Sequence, residues 1–101
     1  MPSKEVEFHE EALAEAQAAY DWYATRNAAA AEAFIGELDH AMEQIEMFPE
    51  ASTSHVSGTR RYVLKRFPFT VIYREQEKMI QIVAVSHGRR KPGYWKKRVK
   101  H

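Results

Sequence analysis

One stretch of the chain gathers most of the side chains able to act on a charged ligand: Ser86-His87-Gly88-Arg89-Arg90-Lys91-Pro92-Gly93-Tyr94-Trp95-Lys96-Lys97-Arg98. Lysine and arginine neutralise phosphates, and tyrosine and tryptophan stack on unpaired bases, so this composition suits a polyanion such as single-stranded nucleic acid. His87 adds an imidazole, the side-chain type suited to giving or taking a proton at neutral pH. A plainer reading stands beside this one. In it Tyr94 and Trp95 fold back to anchor the end of the chain, the cations form a solvated rim, and His87 is satisfied by backbone hydrogen bonds. Gly88 and Gly93 flank the cluster but belong to no strand, glycine-rich loop and helix cradle, which argues against nucleotide binding. His9, His40, His55 and His101 show no metal-ligand spacing, so neither metal nor other cofactor is expected.

The elements that must position this cluster are legible as periodicities. Val6-Glu7-Phe8 reads as a short edge strand, and His9-Glu10-Glu11 opens an Ala- and Glu-rich helix whose first turn is suitably acidic. Leu13, Ala16, Tyr20 and Tyr23 recur at three- and four-residue steps as an apolar stripe, with Trp22 at its margin. Asn27 is placed to cap a second helix, striped by Ala31, Phe34, Ile35, Leu38, Ala41, Met42, Ile45 and Phe48 and stopped by Pro49. So short a connection makes the helices an antiparallel hairpin, its acids expected to be solvated. Residues 51–59 read as loop. Strands are then predicted at Arg61–Lys65, Phe69–Tyr73 and Met79–Val85, the last apolar on both faces and therefore central. The fold class is α+β: strand, helical hairpin, mainly antiparallel sheet, basic C-terminal tail, in a single domain over residues 1–101.

Charge is distributed unevenly. Residues 1–50 hold Lys4 and Arg26 against twelve acids, a net of −10, whereas residues 51–101 hold thirteen cations against Glu75 and Glu77, a net of +11. Such a division points to one face meeting an anionic partner, or to acidic helices neutralising a basic sheet. Cysteine is absent, which excludes disulfides and thiolate chemistry. With no apolar run of membrane-spanning length and an acidic stretch from Glu5 to Glu11, a cytoplasmic protein without membrane association is expected.

Two segments carry a resemblance: Arg60-Arg61-Tyr62-Val63-Leu64-Lys65-Arg66-Phe67-Pro68-Phe69-Thr70-Val71-Ile72-Tyr73-Arg74, and Val83-Ala84-Val85-Ser86-His87-Gly88-Arg89-Arg90 with Tyr94-Trp95. In these and in the order of its elements the chain resembles the RelE/ParE superfamily of toxins from bacterial type II toxin–antitoxin systems. The resemblance implies growth inhibition relieved by a cognate antitoxin; the surplus cations of the second half and the small core predict that it sits in the groove between sheet and hairpin with its acids toward Lys65, Arg66 and Arg89. Members differ in target: some cleave mRNA on the ribosome, others inhibit DNA gyrase.

Internal RNA cleavage needs a base, cations for the phosphorane and an acid for the leaving oxygen. The candidates here are His87 as base or acid, Arg61, Lys65, Arg89 or Arg90 to hold the phosphate, and Tyr94 to position or protonate, the last in the region where RNA-cleaving relatives carry a functional tyrosine. Thr70 stands where RelE-like nucleases place an arginine, and Phe67-Pro68-Phe69 is more similar to ParE-type members. The sequence therefore leans to a gyrase-directed toxin that is not an enzyme, with Lys65, Arg66, Arg89, Arg90 and Trp95 as contacts to target or nucleic acid. A ribosome-dependent endonuclease is the alternative, and a binding module without chemistry is a third. A toxin gene is expected beside a short antitoxin reading frame; an adaptor gene need not be.

Overall fold

The computed structural model describes residues 4–99; His101, set aside above as a metal ligand, lies outside them. The elements are β1 (Glu5–Phe8), α1 (Glu10–Ala24), α2 (Ala28–Met47), β2 (Thr53–His55), β3 (Thr59–Val63), β4 (Phe69–Glu75) and β5 (Met79–His87), with 3-10 turns at Val56–Gly58 and Lys96–Val99. The strands form one sheet in the order β1-β5-β4-β3-β2, where β1 runs parallel to β5 and the other pairings are antiparallel. The architecture is α+β, as the periodicities imply.

Local chemistry sets the helix ends. The Nδ1 of His9 accepts from the Glu11 N–H at 3.1 Å, and the Asn27 side chain accepts from the Ala30 N–H at 3.1 Å, so each helix begins on a capping side chain. The face of α1 that meets the sheet differs from the predicted stripe. Ala12, Ala16 and Ala19 are buried there, while Leu13 is 57% exposed and Trp22 54% exposed. Alanines let the helix axis approach the sheet more closely than leucine would, and that close approach fixes the rotation of α1. On α2 the expected face is realised by Ala31, Phe34, Leu38, Ala41 and Ile45, with Phe48 left exposed beyond the helix end. The Tyr73 hydroxyl donates to the Pro49 carbonyl at 2.6 Å and ties that end to β4.

A bulge in β5 decides which side chains share a face. Ile72 pairs with Ala84 but the next residue of β4, Tyr73, pairs with Ile82, leaving Val83 as the extra residue. Alternation reverses across it. Ile80 and Ile82 pack toward the helices before the bulge and Val85 after it, whereas Val83 and Ala84 join Ile72 and Trp95 on the opposite face. The sheet thus has two cores: the main one under the helices, and a smaller one beneath the C-terminal segment, where Tyr94 and Val99 pack around Trp95.

Two predicted boundaries are corrected. The stretch read as loop contains β2, a three-residue edge strand joined to β3 through Ser57 and Gly58 at φ 61° and 73°. Glycine adopts this left-handed turn freely, and the strand is too short and polar to show a period. The strand predicted at Arg61–Lys65 runs from Thr59 to Val63, which places Lys65 in the following loop. That loop is held by Glu37 of α2, whose carboxylate accepts from the backbone N–H groups of Lys65 and Arg66.

Leu38 is 5% exposed in the main core, so Leu38→Ala is expected to destabilise by about 2–5 kcal/mol, and Leu13→Ala by no more than about 0.5 kcal/mol. Urea unfolding of both variants checks the rotation of α1; a larger loss at Leu13 would contradict it.

Candidate functional site

β1 ends opposite Ile82, so among the described residues no strand lies beside the outer edge of β5 from Val83 to His87. Unpaired strand edges require cover. The Val85 N–H donates to Oε1 of Glu15 in α1 at 2.9 Å, and Nη1 of Arg98 donates to the Val83 carbonyl at 3.0 Å. The two side chains also meet each other. Arg98 forks onto Glu15 through Nη1–Oε1 at 3.0 Å and Nη2–Oε2 at 2.9 Å, and the Tyr94 hydroxyl donates to Oε2 at 2.6 Å. Arg90 stands 3.8 Å from the same carboxylate and stacks 3.7 Å over the Tyr94 ring. The expectation of solvated helix acids therefore fails at Glu15 and at Glu37, whose side chains are only 15% and 12% exposed.

The electrostatics follow from these contacts. Burial works against ionisation of Glu15, but the hydrogen bonds from Arg98, Tyr94 and Val85 and the Arg98 charge outweigh it and hold the carboxyl below its usual 4.5. Burial, then the hydrogen bond to Glu15 and the Glu15 charge, push the Tyr94 phenol up to about 12. Tyr94 keeps its proton and has it directed at a carboxylate.

Beside this cluster, between α1 and the ends of β4 and β5, lies a groove of about 560 Å³ lined by Trp22, Tyr23, Phe69, His87, Arg89 and Arg90 among others. Tyr23 and Phe69 of its wall are backed by a knot of rings: Tyr23, Phe34, Phe67 and Phe69 meet one another at 5.1–5.5 Å, and Phe69 meets His87 edge-on at 5.0 Å. The Nδ1 of His87 accepts from the Arg89 N–H at 3.0 Å, which leaves the proton of the neutral ring on Nε2. Arg26 lies 3.8 Å over the Trp22 ring. The groove is apolar and aromatic within, with cations at its rim.

Of the residues singled out in the sequence, the structure brings His87, Arg89 and Arg90 together here. Lys65 and Arg66 line a separate hollow with Glu37 and His40 of α2. Arg61 lies on the other side of the sheet: it pairs with Ile72, which faces the Trp95 core, whereas His87 pairs with Phe69 of the main core. Trp95 is corrected. At 2% exposure it anchors the tail within the smaller core and offers no surface to a partner. Near it stands a histidine the sequence reading set aside, His55, 5.8 Å from the Trp95 ring; burial and the charges of Arg61 and Lys96 keep its imidazole below the ordinary value. The sequence reading also missed Glu15, although its spacing from Ala12 and Ala19 places it on the buried face of α1.

A helical hairpin laid on this sheet, with cations gathered at the end of β5, defines a RelE/ParE-type toxin fold. The family model for the ParE toxin of the type II toxin–antitoxin system, parDE, matches residues 6–92, and the chain belongs to that family. Among solved structures, the chromosomal ParDE TA system from P. aeruginosa superposes with a TM-score of 0.72 at 22% identity, over 83% of this chain and 95% of that one. At that identity the likeness establishes the fold. No curated protein sequence matches the chain. The family match ends before Tyr94, Trp95 and Arg98. Among the described residues no helix is long and apolar enough to cross a membrane.

The Glu15 cluster gives stability a defined pH dependence. A lowered carboxyl contributes fully above its unfolded value near 4.5, and that contribution is lost as pH falls through the lower folded value. A raised phenol contributes below the ordinary 10 and loses it as pH rises through about 12. Melting temperatures of the wild type and Glu15→Gln are expected to differ at pH 7 and converge toward pH 2. A constant gap across that range would contradict the ionic role.

Proposed function

We propose that the chain is a growth-arresting toxin that inhibits DNA gyrase by binding rather than cutting, and that a cognate antitoxin neutralises it by filling the groove beside α1. The observation that carries this reading is the separation of Arg61 from His87 by the sheet. Of the catalytic candidates, His87 and Arg61 are parted by the sheet and the Tyr94 hydroxyl, the candidate acid, is committed to Glu15. Thr70, paired with Val63 and Ser86, adds no charge to the Arg61 side. What the groove does offer is contact: an exposed tryptophan, an aromatic wall and two exposed arginines, the residue types in which interface energy concentrates.

The same groove suits an antitoxin segment with apolar residues for the aromatic wall and acids for Arg89 and Arg90. Lys65 and Arg66 extend the cationic surface along α2. A partner that binds only the folded toxin would raise its melting temperature with concentration.

A second reading rests on the opposite face. There His55, held toward its neutral form, lies within the influence of Arg61 and Lys96, and a neutral imidazole among cations is suited to taking a proton next to a phosphate. This favours a ribosome-dependent endonuclease whose base is His55 rather than His87.

Two assays separate the readings. Purified toxin freed of antitoxin is expected to stop DNA supercoiling by gyrase and to leave translated mRNA without codon-dependent cuts in primer extension. Trp22→Ala and the double change Arg89→Ala with Arg90→Ala should raise the half-inhibitory concentration roughly tenfold or more, as for hot-spot residues, with His87→Ala milder. Cuts that vanish in His55→Ala would replace this conclusion with the endonuclease.

A further inference from the structure

The two helices of this chain carry nine of its fourteen acids, and their ordinary role is to be solvated. Glu15 departs from that role. One carboxylate collects the Val85 N–H, the Tyr94 hydroxyl and both ends of the Arg98 fork, with Arg90 3.8 Å away. Val85 belongs to β5, Arg90 to the turn after it, and Tyr94 and Arg98 to the tail that closes the smaller core. The carboxylate therefore sits at both ends of the segment that bears Arg89 and Arg90.

Little else fixes that segment. Arg89, Arg90 and Lys91 are exposed, and their backbone is held by the Arg89 N–H to His87 Nδ1 at 3.0 Å and the Arg90 N–H to the His87 carbonyl at 3.0 Å. Both bonds lie within the turn itself; its start is tied by the Gly88 N–H, which donates to the Pro68 carbonyl at 2.8 Å, and its far side by the Tyr94 N–H, which donates to the Lys91 carbonyl at 3.2 Å. Beyond the turn, Gly93 at φ 76° reverses the chain so that Tyr94 meets Glu15 and Trp95 enters the core. The Arg90 guanidinium is then trapped between the Tyr94 ring, 3.7 Å away, and the carboxylate. Its planar group has a stacking face and an anionic edge at once.

We infer that Glu15 is a positioning residue for the target-binding segment: from α1 it fixes the tail through Arg98 and Tyr94, and thereby the place of Arg89 and Arg90 at the groove rim. This rests on the reading that those arginines contact the target. It assigns a functional part to α1, whose Glu11 also stands 3.6 Å from Arg98, and it uses tail residues that lie outside the span shared with the family.

Hydrogen exchange and inhibition, measured on the same full-length variants, test it. In Glu15→Gln the amides of residues 89–98 should exchange roughly tenfold faster or more, the scale expected on losing a charge-assisted hydrogen bond, while those of Val71 and Ile72 keep their protection. Growth arrest and gyrase inhibition should weaken by a similar factor. Because both changes release the same tail, Glu15→Gln combined with Arg98→Ala should be no weaker than the weaker single variant. If Glu15→Gln is not obtained folded, Tyr94→Phe removes one bond of the set and should give a smaller change in the same direction. Full arrest by Glu15→Gln, or faster exchange spread equally over β4, would overturn the inference. A wild-type toxin that arrests growth without affecting supercoiling would remove the gyrase reading alone, and growth arrest would still decide the part played by Glu15.

Discussion

The open edge of β5 is the constraint around which the rest of the molecule is arranged. β1 covers that edge only as far as Ile82, and the Val83 carbonyl and the Val85 N–H beyond it need partners that no strand among the described residues supplies. A helix carboxylate and a tail guanidinium supply them, and in doing so bind one another. A buried ion pair stabilises only when further hydrogen bonds compensate for lost hydration. Here the Tyr94 hydroxyl and the two backbone groups provide that compensation, and among the described residues no buried side-chain polar atom lacks a partner. The arrangement links α1, β5 and the tail through one set of oxygens, so the groove between them has walls of fixed spacing.

The bulge at Val83 has consequences of equal reach for chemistry. Were the alternation set by Ile80 and Ile82 unbroken by the bulge, His87 would fall on the face of Val83 and Arg61, and imidazole, guanidinium and the tail would share one surface. With it, His87 turns to Phe69 and the aromatic wall, and Arg61 is left with His55. A single inserted residue thus divides the basic half of the chain into two faces. One is an aromatic groove rimmed by arginines, suited to contact; the other is closed in part by Trp95.

Much of this was legible in the sequence. Alternation and three- and four-residue spacing placed both helices and the three longer strands, and Asn27 and Pro49 marked the limits of α2, because each signal is local. The resemblance carried by the Arg60–Arg74 and Val83–Arg90 segments pointed to the family that the comparisons show. What escaped depended on distant parts of the chain. Leu13 looked like core because it is apolar at the right interval, but close approach of the sheet to the alanines of α1 turned it outward. Trp95 looked like a contact because cations surround it in sequence, yet Ile72 and Val83 bury it. Glu15 was one acid among many, and its partners lie 70 to 83 residues away along the chain. The bulge left no trace, since Val83-Ala84-Val85 is equally apolar in either register.

The central claim is that the groove face, and not the Arg61 face, meets the target. Photo-crosslinking tests it most directly, with a photoreactive amino acid placed either at Arg89 or at Arg61 and the toxin mixed with purified gyrase. The account predicts a crosslinked gyrase subunit from position 89 and none from position 61. Capture from position 61 with none from position 89 would contradict it.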